Sequence, residues 1–131
     1  LQGINDDNLT MQLLHYQIPE HGVTLGFYPH QFIQVNALMN RELVRTVMGY
    51  LAPVKGEPVL DMFCGIGNFT LPLARAGAQA VGVEASEEAV ERATANASDN
   101  VLESDCRFFV ADLYGSAGKG HAIWSKLEAT P

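Results

Sequence analysis

A chain of 131 residues is long enough for one domain with a real core. Its balance of 47% apolar to 18% charged residues excludes a disordered tail. No apolar run approaches the roughly 20 residues that a bilayer-spanning helix needs, and Leu1–Asp7 has neither the basic start nor the apolar stretch of a signal peptide. The formal net charge of −7 and the scatter of the eight Lys and Arg, from Arg41 to Lys126, exclude a self-sufficient nucleic-acid grip.

Along the chain, residues 9–18 (LTMQLLHYQI) and 23–28 (VTLGFY) flank Pro19-Glu20-His21-Gly22, the pattern of a β-hairpin with a four-residue loop. A third extended run, Phe32-Ile33-Gln34-Val35, follows Pro29. Asn36 then reads as the N-cap of a helix reaching about Leu51, with Met39, Leu43, Val47, Tyr50 and Leu51 on one apolar stripe. Pro53 and Gly56 close it. From Pro58 onward strands and helices alternate. Val59–Phe63 is a strand, Gly65-Ile66-Gly67 a tight turn, and Asn68 to about Ala76 a short helix with Pro72 early in it. Ala80–Glu84 is a second strand, and Ser86 caps a helix to about Ser98 with Glu87 and Glu88 in its first turn. Arg107–Val110 is a third strand, running out at Ala111-Asp112. Strands separated by helices predict right-handed βαβ units and a parallel sheet. Beyond Gly115 the pattern weakens into Gly, Ser and Ala, with Trp124 and Leu127 as its main apolar residues. Three parallel strands leave two unpaired edges, so the domain reads as unfinished, with self-association through an open edge as one consequence. The missing initiator Met agrees with a segment of something longer.

The chemistry concentrates in Val59-Leu60-Asp61-Met62-Phe63-Cys64-Gly65-Ile66-Gly67-Asn68-Phe69-Thr70. An apolar strand ends beside an acid, and Gly-x-Gly then opens a helix. Glycines let the backbone turn sharply and approach a ligand, and the helix N–H groups face it. A dinucleotide wants a third glycine, where Thr70 stands, and pyrophosphate at the helix start. Asp61, four residues before Gly65, would repel that pyrophosphate. The same carboxylate favours the ammonium of S-adenosyl-L-methionine, directly or through water. Glu84, seventeen residues past Gly67, is placed to accept hydrogen bonds from both ribose hydroxyls, which either cofactor needs. Asp112, after the third strand, is placed to meet an adenine amine. Ligands of open α/β sheets bind at the carboxyl ends of the strands, where these residues all fall.

Asp61-Met62-Phe63-Cys64-Gly65-Ile66-Gly67-Asn68-Phe69-Thr70-Leu71-Pro72-Leu73-Ala74, preceded by Pro29-His30-Gln31-Phe32-Ile33-Gln34-Val35-Asn36, resembles the RNA 5-methyluridine (uracil-C5) methyltransferases. The likeness is greatest to the bacterial branch acting on 23S ribosomal RNA and covers roughly residues 16–112. Gln31 departs from the acid more usual before the Phe. The resemblance implies a Rossmann-like class I methyltransferase sheet, here its first three parallel strands, preceded by a small β-hairpin region. Residues 1–36 would form the hairpin region linking to an absent N-terminal part, and 37–131 the N-terminal portion of the cofactor domain. It implies that Phe63, Gly65, Gly67 and Asn68 line S-adenosyl-L-methionine beside Asp61, that Glu84 holds its ribose, that Asp112 sits near its adenine, and that Gln34 lies beside cofactor and target uracil. In the family a cysteine thiolate adds to uracil C6, C5 attacks the sulfonium methyl, and a base removes the C5 proton. The uracil must be splayed out of its stack to be reached. That cysteine and that base belong to motifs beyond residue 131, so the segment alone is expected to be inactive, and ribosomal RNA to be gripped mostly by parts absent here.

Each residue also has a plainer reading. Cys64, in the cofactor loop, would meet the sulfonium methyl rather than uracil C6, and Cys106 starts a strand among apolar residues; both read as packing. The two lie 42 positions apart with no ligand spacing, so a metal site is not expected; a disulfide is open but unforced, and two free thiols in a reducing cytosol are the reading preferred. The four histidines share no site spacing. Phe108, Phe109 and Trp124 read as core, Asn68 as a helix cap that can also touch cofactor, and Gln34 without the resemblance as an ordinary strand residue. A class I methyltransferase with another substrate, an NAD-dependent oxidoreductase, and a non-catalytic binding module are the competing functions.

Overall fold

The computed structural model describes residues 12–31 and 37–112. Alternating side chains bring β1 (Leu14–Ile18) and β2 (Val23–Phe27) into an antiparallel hairpin in which Ile18 faces Val23 and Leu14 faces Phe27. A 3₁₀ turn at Pro19–His21 and a left-handed Gly22 make the reversal, as the Pro-to-Gly spacing predicts. A second 3₁₀ turn, Pro29–Gln31, follows, and Gln31 Oε1 accepts the N–H of Tyr28. Gln31 thus makes the backbone contact open to an acid, while its Nε2 donates to Glu88 at 3.4 Å, which a carboxylate could not do. The run 32–35 and the Asn36 cap lie outside the described residues.

Helix α1 (Ala37–Leu51) buries Val44 and Met48, with Asn40 and Val47 half-buried on the same side. The expected core stripe is therefore displaced. Met39, Leu43, Tyr50 and Leu51 are exposed, Tyr50 at 87%. Only Val47 of that stripe turns inward. The helix is apolar on two sides, so periodicity alone leaves its rotation open, and packing against α2 selects the Val44 side.

Strands β3 (Pro58–Met62), β4 (Gln79–Glu84) and β5 (Cys106–Val110) form a parallel sheet in the order β3-β4-β5. Asp61 pairs with Gly82, and Gly82 with Phe108. Pro58 is tolerated as the first residue of an edge strand. Helix α2 (Thr70–Arg75) connects β3 to β4 and is buried along almost its whole length. It starts two residues later than the sequence reading, because residues 65–69 turn before the helix forms. Pro72 falls in its first turn, where an N–H would lack a helical acceptor. Helix α3 (Glu87–Asp99) connects β4 to β5, and Ser86 Oγ accepts the N–H of Ala89 as its cap.

Ile18, Val23 and Leu25 of the hairpin join Val44 and Met48 of α1, Leu71 and Leu73 of α2, Ala80 of β4 and Ala97 of α3 in one buried cluster. Hairpin and sheet share a core. Both cysteines are buried and free. Among the described residues no helix is long and apolar enough to cross a membrane.

Candidate functional site

The carboxyl ends of the three strands meet at one edge. Asp61 is half-buried near the end of β3, and its Oδ2 accepts the Thr70 hydroxyl at 2.6 Å. Burial lifts its carboxyl above the ordinary range, and the Thr70 hydrogen bonds oppose that lift. Thr70, where a dinucleotide fold would carry its third glycine, therefore holds the acid in place.

Phe63 follows with φ of 62° and is 53% exposed. A left-handed backbone costs a bulky residue about 1–2 kcal/mol, strain that persists only where surrounding structure fixes it. The Cys64 N–H donates to Val83 O and the Gly67 N–H to Cys64 O, closing the loop. Gly67 has φ of 99°, which calls for glycine, and a Cβ there would stand 2.5 Å from Leu71 Cδ1 and push that buried side chain aside. Glu84, at the end of β4, accepts the Gly65 N–H through Oε1 at 3.3 Å and the Ser86 N–H through Oε2 at 2.8 Å. Its carboxylate thus bridges the loop to the start of α3 and keeps lone pairs for further donors. The Ala111 N–H donates to Glu84 O, carrying the β4–β5 ladder one residue past β5 and setting exposed Asp112 just beyond Glu84.

Asp61, Phe63, Gly65, Gly67, Asn68, Glu84 and Asp112 are therefore gathered at one edge, while Gln34 lies outside the described residues. Asn68 is not the cap of α2. Phe69 holds that position without a side-chain bond, and the Asn68 amide instead pairs reciprocally with Asn40 at 2.9 and 3.0 Å. The Cys64 thiol is pushed up to about 12 by burial and by the nearby Asp61 and Glu84 carboxylates. A buried, protonated thiol is no nucleophile. Sequence reasoning missed Asn40 and Asn96 as supports of this loop. Their only sequence signal is a polar amide on the inner side of a helix, and for α1 the sequence pattern points to the wrong inner side.

The sequence profile of the family described as tRNA (uracil-5-)-methyltransferase matches residues 4–111. The chain belongs to this family. It is 50% identical over 101 residues to the 23S rRNA (uracil(1939)-C(5))-methyltransferase of Nitrosospira multiformis, covering 77% of this chain and 23% of that protein. The Azoarcus sp. enzyme of the same name is 50% identical over 115 residues, covering 88% and 27%. The chain thus spans about a quarter of the length of these curated relatives. Among solved structures, the Pyrococcus abyssi tRNA (uracil-54, C5)-methyltransferase in complex with S-adenosyl-L-homocysteine superposes with a TM-score of 0.66 at 32% identity, over 76% of this chain and 24% of its own. The T. thermophilus 16S rRNA N2 G1207 methyltransferase, in complex with AdoMet and guanosine, gives 0.63 at 30%, over 77% and 28%. These likenesses establish a class I methyltransferase fold.

Proposed function

We propose that the edge formed by Asp61, residues 63–68, Glu84 and Asp112 holds S-adenosyl-L-methionine, and that the protein containing this segment methylates C5 of a uridine in 23S ribosomal RNA. The observation that carries this reading is the placement of Asp61, Glu84 and Asp112 at the carboxyl ends of three neighbouring strands, with Glu84 bonded to the glycine loop, in a chain 50% identical over 101 residues to a 23S rRNA uracil-C5 enzyme. The residues fit the group. The Asp61 carboxylate ahead of the glycine turn suits a ligand bearing an ammonium there and opposes a phosphate, while Glu84 suits a ribose. Among the described residues a Cβ at Gly65 would meet nothing within 4 Å, so the backbone there is open to approach.

Bound there, S-adenosyl-L-methionine supplies an electrophilic methyl group. Asp61 sits by its ammonium, directly or through water, and Glu84 accepts from its ribose hydroxyls. Asp112 sits near the adenine, Phe63, Gly65, Gly67 and Asn68 line the cofactor, and Gln34 lies beside cofactor and uracil. The same reading divides the chain at residue 36 between a hairpin region and the start of the cofactor domain. It assigns the grip on ribosomal RNA mostly to other parts of the protein, allows pairing through the open edge of β3, and places the protein in the cytoplasm.

Calorimetric titration tests the cofactor reading. S-adenosyl-L-methionine should bind and NAD should not. Asp61→Asn should weaken binding about tenfold, the loss of one charge-assisted hydrogen bond, with folding stability at pH 7 unchanged or higher because a desolvated charge is removed. Equal affinity in Asp61→Asn, or binding of NAD alone, would refute it.

A further inference from the structure

The β1–β2 hairpin reaches the glycine loop twice, each time through one amide. From β2, the Gly26 N–H donates to Asn96 Oδ1 at 2.8 Å, and Asn96 Nδ2 donates back to Gly26 O at 3.0 Å. The same Nδ2 donates to Ile66 O at 3.0 Å. From β1, the Tyr16 hydroxyl accepts from Asn40 Nδ2 at 3.3 Å, and the Asn40 amide pairs with that of Asn68. The two relays start on different strands, pass through different helices, and arrive at residues 66 and 68, on either side of Gly67.

We infer that Asn40 and Asn96 are positioning residues of the cofactor site: they hold the glycine loop to the N-terminal hairpin in the conformation that receives the ligand. The inference rests on reading the loop as the S-adenosyl-L-methionine site. Phe63, Gly65 and Gly67 all have positive φ, so the loop is strained at 63 and loses much chain entropy at the two glycines. Contacts from outside must fix such a segment. Asn96 is fully buried, so its bonds form in a low-dielectric interior, and deleting it strands polar groups on Gly26 and Ile66 together. Asn100 is an internal control. One helical turn beyond Asn96, it accepts from Thr24 N at 2.9 Å and donates to Thr24 O at 2.7 Å. It closes the same edge of β2 with no bond to the loop. Sealing the hairpin explains the bonds to Thr24 and Gly26, and leaves the bond to Ile66 and the Asn40–Asn68 pair unexplained.

The test compares Asn40→Ala, Asn68→Ala, their double variant and Asn100→Ala in the full chain, by calorimetric titration with S-adenosyl-L-homocysteine and by thermal denaturation without ligand. Asn40→Ala should weaken binding about tenfold. The double variant should bind within about twofold of Asn68→Ala, because Asn40 acts through Asn68. Asn100→Ala should lower Tm and leave affinity within about twofold. Unchanged affinity in Asn40→Ala, or losses that multiply in the double variant, would overturn the inference. Asn96→Ala enters only if it folds, and the half-buried Asn40 site carries the test otherwise. Hydrogen exchange supplies a second arm that needs no ligand. The Gly65 and Gly67 amides should exchange about tenfold faster in Asn40→Ala, with α3 amides unchanged, and equal loop exchange would also overturn it. Failure of the unsubstituted chain to bind would sink the cofactor reading, while exchange would still decide whether the hairpin holds the loop.

Discussion

Gly82 lies mid-strand in β4, where a side chain is normally an asset. Here a Cβ would stand 2.6 Å from Phe108 Cδ1 and 2.8 Å from Cys64 Sγ. The glycine makes room for the first buried residue of the glycine loop and for the ring that packs across it. Gly82→Ala should therefore destabilise by about 1–3 kcal/mol through overpacking, read as a lower urea midpoint with an unchanged m-value. The thiols give a second residue-scale expectation. Cys64 is pushed up to about 12 and Cys106 to about 11, both chiefly by burial, from an ordinary 9.0. Between pH 9 and 11 the unfolded chain releases thiol protons that the folded chain keeps. Stability present below pH 9 is thus lost as pH rises, by up to about 1.4 kcal/mol per pH unit for each thiol. The difference between the unfolding curves of the parent and Cys64→Ala should show this slope for one thiol, and a flat difference would contradict it.

At the scale of elements, α3 serves as more than a crossover. Its Ser86 cap sets its start beside Glu84, and Asn96 and the C-cap residue Asn100, four positions on, pair with the main chain of Gly26 and Thr24 on β2. A helix stands where a third strand of the hairpin sheet would bind, presenting amides in place of peptide groups. Loss of the cap in Ser86→Ala should cost about 1 kcal/mol. Asn96→Ala should cost on the order of 3 kcal/mol, since it leaves buried groups on two segments unpartnered. Denaturant titration should rank these two in that order, and the reverse order would mean that the amide ladder contributes little. The helix starts and strand spans were legible in the sequence to within a residue or two at most places, because caps, prolines and apolar runs act locally. β1 was the exception, its strand beginning at Leu14 with Gln12 and Leu13 outside it, while α2 began two residues late because residues 65–69 follow a turn set by Gly67 and the Asn40 pairing.

Over the whole molecule, one core joins hairpin, α1 and sheet, while Met39, Leu43, Tyr50 and Leu51 on α1 and Leu60 and Met62 on β3 remain exposed. Among the described residues β3 pairs on one side only. An uncovered apolar edge strand is a template for another strand. The chain should associate with rising concentration, and Met62→Lys should suppress this, as measured by sedimentation velocity. Concentration-independent sedimentation of the unsubstituted chain would show that the edge is protected.

The order of strands and helices, the glycine turn and the strand-end acids were all set by the sequence, because each depends on residues close in the chain. The proposed class of ligand also rests on the sequence, on the sign of charge that Asp61 places ahead of Gly65. The tertiary structure decided which face of α1 turns inward, that Asn68 pairs with Asn40 rather than capping α2, that Thr70 holds Asp61, and that Asn96 binds Gly26 and Ile66 at once. Those contacts join residues 9 to 70 positions apart. No periodicity or local propensity encodes them, since they exist only once the hairpin, α1 and α3 have packed around the loop.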